Sequence, residues 1–313
     1  MRALFLLCVL LLLAPPALAD ESWKARLYTP TQIEKIGDTY FIVVCWHHRI
    51  LYSDSLDTEI SEWNVLDDDI AGPHSIDSDG ELFVAEDTGR HGLKVYLKSD
   101  SGELSLVQTL GPFGKRTHRV RYDKATEAFY VVSSNSQGIT KLVREGGRVK
   151  AVYTKPLPFL EGAYTRSLTI VGESMYFTSG PGVITQVRYR DDSYKSIATF
   201  RVPEGMKGAN DVFQTRDGWW YVSSTPQRIV RAKSLEDLDA GNWEDAYAPL
   251  GCQGTPYYLA EFDGRLFVPE ITQYSAIRSF VHDEKGDISD VKTHFDFGPP
   301  TEADRARMNE IPR

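Results

Sequence analysis

The chain has 313 residues, and its 44 acidic against 35 basic side chains give a net charge of −9. That balance excludes nucleic acid and anionic membrane surfaces as expected partners, since both are bound through clustered Lys and Arg. The length suits either two domains or one closed β-architecture, and composition does not choose between them.

The first residues read as a leader. Arg2 precedes a purely apolar run, Leu4 to Leu13, and Ala17-Leu18-Ala19 sets small residues where a signal peptidase reads. Residues 1–19 are therefore expected to be a signal peptide, with Asp20 as the first mature residue and a secreted or periplasmic product. A retained N-terminal anchor is the alternative. The run is too short to span a bilayer, and no later stretch reaches the roughly 20 apolar residues of a membrane helix. Cleavage removes one basic residue, Arg2, and no acidic one, so the net charge moves to −10. Cys8 leaves with the leader, and Cys45 and Cys252 remain. In an oxidising compartment an isolated pair is expected to form a disulfide, two buried thiols being the alternative. No Asn-x-Ser/Thr acceptor occurs, so N-glycosylation is not expected.

From there the chain repeats itself. A turn signal followed by an apolar strand occurs at Gly37-Asp38 before Tyr40 to Val44, at Asp79-Gly80 before Leu82 to Ala85, and at Lys124 to Thr126 before Phe129 to Val132. It returns at Gly172-Glu173 before Met175 to Thr178, at Asp217-Gly218 before Trp219 to Val222, and at Asp263-Gly264 before Leu266 to Val268. A period of about 42 to 47 residues is that of a four-stranded propeller blade. A third strand follows in each unit, such as Leu93 to Leu97 or Arg228 to Ala232, and then a more polar fourth, such as Leu104 to Leu110. Convincing helical periodicity is missing. The expected fold is all-β, a six-bladed propeller over residues 20–298, with a loosely ordered C-terminal tail over 299–313. A β-sandwich with a second β-domain is the alternative, against which the regular period argues. Trp23 to Tyr28 is a candidate extra outer strand.

Propeller geometry converts this period into spatial grouping. Cys45 and Cys252 fall on one face of blades that become neighbours when the ring closes, so their disulfide would staple it. Aligning the units on their turns gathers Gln32, His74, His118, Arg166, Asn210 or Asp211, and Tyr257 or Tyr258 at the channel mouth. The second-to-third connections add His47, His48, Glu86, Asp87, Arg90, His91, Asn135, Gln227 and Glu270 on the same face. Polar residues at a channel end can simply satisfy one another and trapped water. Two imidazoles, a guanidinium and an Asn-Asp pair converging in a pocket instead suggest a site.

Two chemistries fit that ring. His74, His118 and Asp211 would ligate Zn²⁺, while an all-oxygen set would suit Ca²⁺. Arg166 opposes a dication unless a carboxylate or anionic substrate lies between them, and it favours a bound carboxylate or phosphate. His74 or His118 would then be a general base. His47-His48 adjoins a strand end, where simple solvation is the bland reading. No Gly-x-Ser-x-Gly elbow, phosphate loop or His-Glu-x-x-His occurs, which excludes serine hydrolysis and nucleotide chemistry as expectations.

GPHSIDSDGELFVAED with the following GRHGLKVY resembles the NHL-type propeller repeat, and GANDVFQTRDGWWYVSS resembles the Asn-Asp strand of the SMP-30/gluconolactonase/paraoxonase-like propellers. The resemblance implies a six-bladed ring, a divalent-metal site to which Asn210 and Asp211 contribute, and lactone or ester hydrolysis. The chain departs from that pattern in offering Gln32 near Glu34 where the family has its first-blade glutamate, and in carrying His74, His118 and Arg166. The expected function is a metal-assisted hydrolase or lyase of a small anionic or ester-like molecule. Its catalytic residues would be His74, His118 and Arg166, and its ligand-binding residues Gln32, Asn210, Tyr257, Tyr258 and Glu270. The alternative is a non-catalytic propeller that binds a ligand or a protein partner.

Overall fold

The hairpin around Gly80 shows how the unit folds. Gly80 adopts φ +105°, a conformation a Cβ would strain, and Asp79 Oδ1 accepts from the backbone N–H groups of Glu81 and Leu82. Ile76–Ser78 then pairs antiparallel with Leu82–Asp87, whose side chains are buried on both faces. Gly92–Lys98 and the half-exposed Leu104–Leu110 complete the sheet.

In the computed structural model, which describes residues 20–310 except positions 181 and 207, this sheet is one of six. The expected leader, residues 1–19, lies outside the described residues. The innermost strands are Pro30–Ile36, Ile76–Ser78, Thr117–Asp123, Thr165–Val171 and Gly208–Gln214, with the sixth split into Thr255–Pro256 and Ala260–Phe262. Each is followed in sequence by the other three strands of its blade. Successive blades touch in order, and the innermost strand of blade one lies against blade six, so the ring is closed.

Burial explains the ring. Six apolar clusters each sit between two neighbouring blades, as where Phe41, Val43 and Ile50 of blade one meet Ile76, Phe83 and Tyr96 of blade two. The closing cluster joins Ile33, Ile42 and Trp63 of blade one to Phe262, Phe267, Ile277 and Phe295 of blade six. A blade alone would leave both sheet faces wet; the ring removes them from water at roughly 25 cal/mol per Å² of apolar surface.

Three expectations differ from the structure. Cys45 and Cys252 are not disulfide-bonded: Cys45 lies beside His74, and Cys252 is packed in the apolar cluster between blades five and six. The apolar cluster between blades one and six closes the ring without a covalent bond between these cysteines. The segment after Pro299, expected to be loosely ordered, carries helix Glu302–Met308 behind a capping box of Thr301 and Asp304. Ser22–Ala25 is a short 3₁₀ turn rather than an extra strand.

The terminal helix clasps the closure. Asp304 is fully buried and accepts from His47 Nε2 at 2.9 Å and Arg26 Nε at 3.2 Å, while Arg307 reaches the backbone oxygens of His47 and Asp68. His47 Nδ1 is buried without a hydrogen-bond partner. Protonating the ring would therefore strand a charged N–H, so His47 is a neutral donor to an ionised Asp304. Burial first, with the nearby Arg49 charge, lowers its pKa to about 4. A histidine held neutral in the fold, but free to protonate near 6.5 when unfolded, stabilises the fold above that value. The contribution is lost as pH falls from about 6.5 to about 4. Urea unfolding across this window is expected to show a loss on the order of 3 kcal/mol, and His47→Gln to flatten it. An unchanged slope in the variant would refute the neutral pairing.

Candidate functional site

An innermost strand has one hydrogen-bonding edge turned to the channel, where no further strand can pair with it. Side chains of the preceding blade bond to it instead. Gln32 Oε1 accepts from Ile76 N at 2.7 Å, Ser75 Oγ from Val120 N at 3.0 Å, Asp77 Oδ2 from Tyr122 N at 2.9 Å and Asp211 Oδ2 from Leu259 N at 3.0 Å. Gln32 and Asp211, expected to bind ligand and metal, belong to this belt.

A recurring bulge separates belt residues from mouth residues. In blades one, three, four and five the innermost strand shifts register over a single unpaired residue, namely Thr31, His118, Arg166 and Asn210. A bulge redirects a side chain that regular pleating would send elsewhere. The true equivalents at the mouth are therefore Thr31 rather than Gln32, and Asn210 rather than Asp211. His74 reaches the same level from the crossing loop, which is held by Asp87 Oδ1 at Ala71 N and by His48 Nδ1 at Gly72 N.

These residues close the channel. His74 and His118 lie ring over ring, with centroids 3.9 Å apart. His118 crosses from blade three to blade six, its Nδ1 2.8 Å from both Arg166 O and the Tyr258 hydroxyl. The Tyr258 hydroxyl donates to Arg166 O at 2.6 Å, so Nδ1 carries a hydrogen, and the Nε2 lone pair faces the Tyr257 hydroxyl at 3.5 Å. Burial first, then the charges of His74 and Arg166, hold the His118 pKa well below the usual histidine range. Burial likewise raises both tyrosines, Tyr257 and Tyr258. Arg166 is fixed by Asn210 Oδ1 at 2.6 Å, and Asn210 Nδ2 donates to Pro256 O. What remains open is a crevice of about 50 Å³ lined by Cys45, Trp46, Ala71, Gly72, His74, Thr88, Gly89 and Arg116.

The second tier is bracketing. Glu86 accepts from Ser75 N and Oγ, and Glu270 from Gln253 N, Gly254 N and Arg278 Nε. His91 Nδ1 accepts from Arg116 N, and Gln227 donates to Gln253 O. Most of these contacts seat incoming crossing loops, and Glu270 is taken up by one such loop and by Arg278 of the adjacent strand. A divalent cation does not fit either. Asp211 spends its second oxygen on Ser167 Oγ at 2.6 Å, and among the described residues no three His, Cys, Asp or Glu side chains stand together as ligands.

The channel interior went unread in the sequence. Arg119 is fully buried, its guanidinium 3.7 Å from the centre of the Tyr258 ring. Two residues on, Arg121 reaches Glu34 at 3.3 Å and Asp77 at 3.8 Å. Arg121, Glu34 and Asp77 line a far mouth of about 260 Å³ to which every blade contributes. The signal was present: Arg119 and Arg121 alternate with the buried Val120 and half-buried Tyr122, so both point away from the sheet's apolar side.

With this geometry in hand, comparison with known proteins identifies the architecture. No protein-family model matches the sequence, and no curated protein does. Among solved structures, a candidate 6-phosphogluconolactonase from Bacteroides uniformis is 14% identical with TM-score 0.61, the match covering 85% of this chain and 83% of that one. A protein from Lactobacillus plantarum is 14% identical with TM-score 0.61 over 86% of both chains. A streptogramin B lyase is 14% identical with TM-score 0.57, over 88% of this chain and 84% of its own. The chain is a six-bladed β-propeller. Likeness at this level of identity is one of fold.

The belt assignment gives a direct test. Gln32→Leu strands the Ile76 N–H in the interior, and urea unfolding is expected to show about 1–3 kcal/mol of lost stability. A variant as stable as the parent would remove Gln32 from the belt.

Proposed function

We propose that this propeller is an exported hydrolase or lyase acting on a small molecule with an anionic or ester-like group, and that the His74–His118 face is its site. The observation that carries the reading is His118. It is a neutral imidazole with one nitrogen committed to Arg166 O and the other presenting a lone pair toward the Tyr257 hydroxyl. Such a group presents an unprotonated nitrogen at neutral pH, and its lowered pKa makes it a weak base that holds a proton only transiently. The crevice lining adds charge of one sign, since Arg116 is its sole charged member and no carboxylate lies among its residues. An anionic or carbonyl oxygen would meet that guanidinium favourably. The lactonase and lyase named among proteins of the same fold are consistent with this chemistry, although fold alone never fixes activity.

One observation favours the non-catalytic reading. The opening is about 50 Å³ and His118 is 1% exposed, so a ligand would have to sit over the plug unless the face opens. A protein partner is less favoured. The large exposed apolar side chains Val65, Leu106, Val152, Ile197 and Val291 stand singly on outer strands of five different blades instead of forming a patch.

A panel of small lactones, aryl esters and carboxylated esters tests both. Turnover is expected, with His118→Gln lowering kcat by about 10²–10⁴-fold and Arg116→Gln acting mainly on KM. Stabilisation by small carboxylates or phosphate without turnover would select the binding reading. Neither turnover nor anion-dependent stabilisation would sink the site.

A further inference from the structure

Cys45 was expected to be half of a disulfide, and the structure puts it to a different use. Its Sγ lies 3.9 Å from His74 Nε2, and His74 Nδ1 lies 3.2 Å from Thr88 Oγ1. All three residues line the same crevice as Arg116, whose Nε is buried without a hydrogen-bond partner. Thiol, imidazole and hydroxyl thus form one chain of polar contacts, with a cation beside it and open space in front. In the tautomer with hydrogen on Nδ1, His74 donates to Thr88 and turns its Nε2 lone pair toward the sulfur. That is the arrangement of an activated nucleophile: the attacking group, a base within reach, and a third group orienting the base.

We propose that Cys45 is a nucleophilic thiol, with His74 as its base, placed to accept the acyl group of a small ester or lactone. Its substrate class rests on the function proposed above; the reactivity of the thiol does not. His74 Nε2 takes the Sγ proton as the sulfur bonds to the carbonyl carbon. The ester C–O bond then breaks, and the alkoxide leaves with that proton. Water next adds to the thioester carbon as the C–S bond breaks, its hydroxyl remaining on the acid and its proton restoring the thiol. Arg116 faces the oxygen on which charge develops.

The chain carries its own control. Cys252 is 8% exposed against 4% for Cys45, but it lies among the apolar side chains between blades five and six. Burial, and then the Glu270 carboxylate, push its thiol up. If access alone decided reactivity, Cys252 would react first. Native protein treated with iodoacetamide at neutral pH and mapped by mass spectrometry is expected to label Cys45 about tenfold or more faster than Cys252. His74→Gln is expected to bring Cys45 down to the Cys252 rate. With p-nitrophenyl acetate, an acetyl group is expected on Cys45 and absent from Cys252. Equal or faster labelling of Cys252, or labelling of Cys45 only after denaturation, would overturn the proposal, and the wild-type ratio decides this even if His74→Gln fails to fold. A reactive, acetylated Cys45 with no turnover of any ester or lactone would sink the hydrolase reading while leaving the nucleophile in place.

Discussion

The innermost strand of each blade presents a row of backbone groups to a channel too narrow for another strand. Buried amides without partners destabilise a fold by about 1–3 kcal/mol each, so this edge must be bonded by something. The chain answers with side chains sent from one blade to the next, from Gln32, Ser75, Asp77 and Asp211. Much of the polarity that draws attention to the channel exists for this reason. The belt also fixes neighbouring blades in register and holds the mouth residues where they can meet.

What the belt does not use is then informative. Among the described residues, the side chains of His118 and Arg166 bond no neighbouring innermost N–H; with His74 they form the mouth. They are held in place by Thr88, Tyr258 and Asn210, and they converge on a region of net positive charge. That region is sealed by aromatic rings, so its electrostatics act through low-dielectric surroundings. At the far end of the channel the balance reverses, with Glu34 and Asp77 around Arg121. Burial raises both of these carboxyls, and Arg121 opposes that rise.

How far the sequence could be read depended on the length scale of the feature. Blade number and strand pairing repeat every forty-odd residues and were visible in Asp79-Gly80 and its five counterparts. The outer strand Leu104–Leu110 falls where the pattern set it. The mouth is legible in the sequence to within one residue. The structure brings His118 and Arg166 together, but the unpaired bulge residues are Thr31, one before Gln32, and Asn210 of the pair Asn210 or Asp211. The cause is the bulge, which adds one residue and flips the side-chain alternation, and which has no sequence signature as strong as a turn's. The tail was misread because its hold on the ring comes from Asp304, a charged residue in a charged run whose partners His47 and Arg26 lie more than 250 residues away.

By itself, then, the sequence determined the repeat, the ring and which stretches reach its mouth, because a periodic hydrophobic pattern allows few ways to bury itself. Only the tertiary structure decided which of those side chains bond the next blade's innermost N–H groups and which meet one another at the mouth. It also decided that Cys45 faces His74 rather than Cys252. Both outcomes turn on single-residue register and on contacts between distant blades, and a linear pattern carries neither.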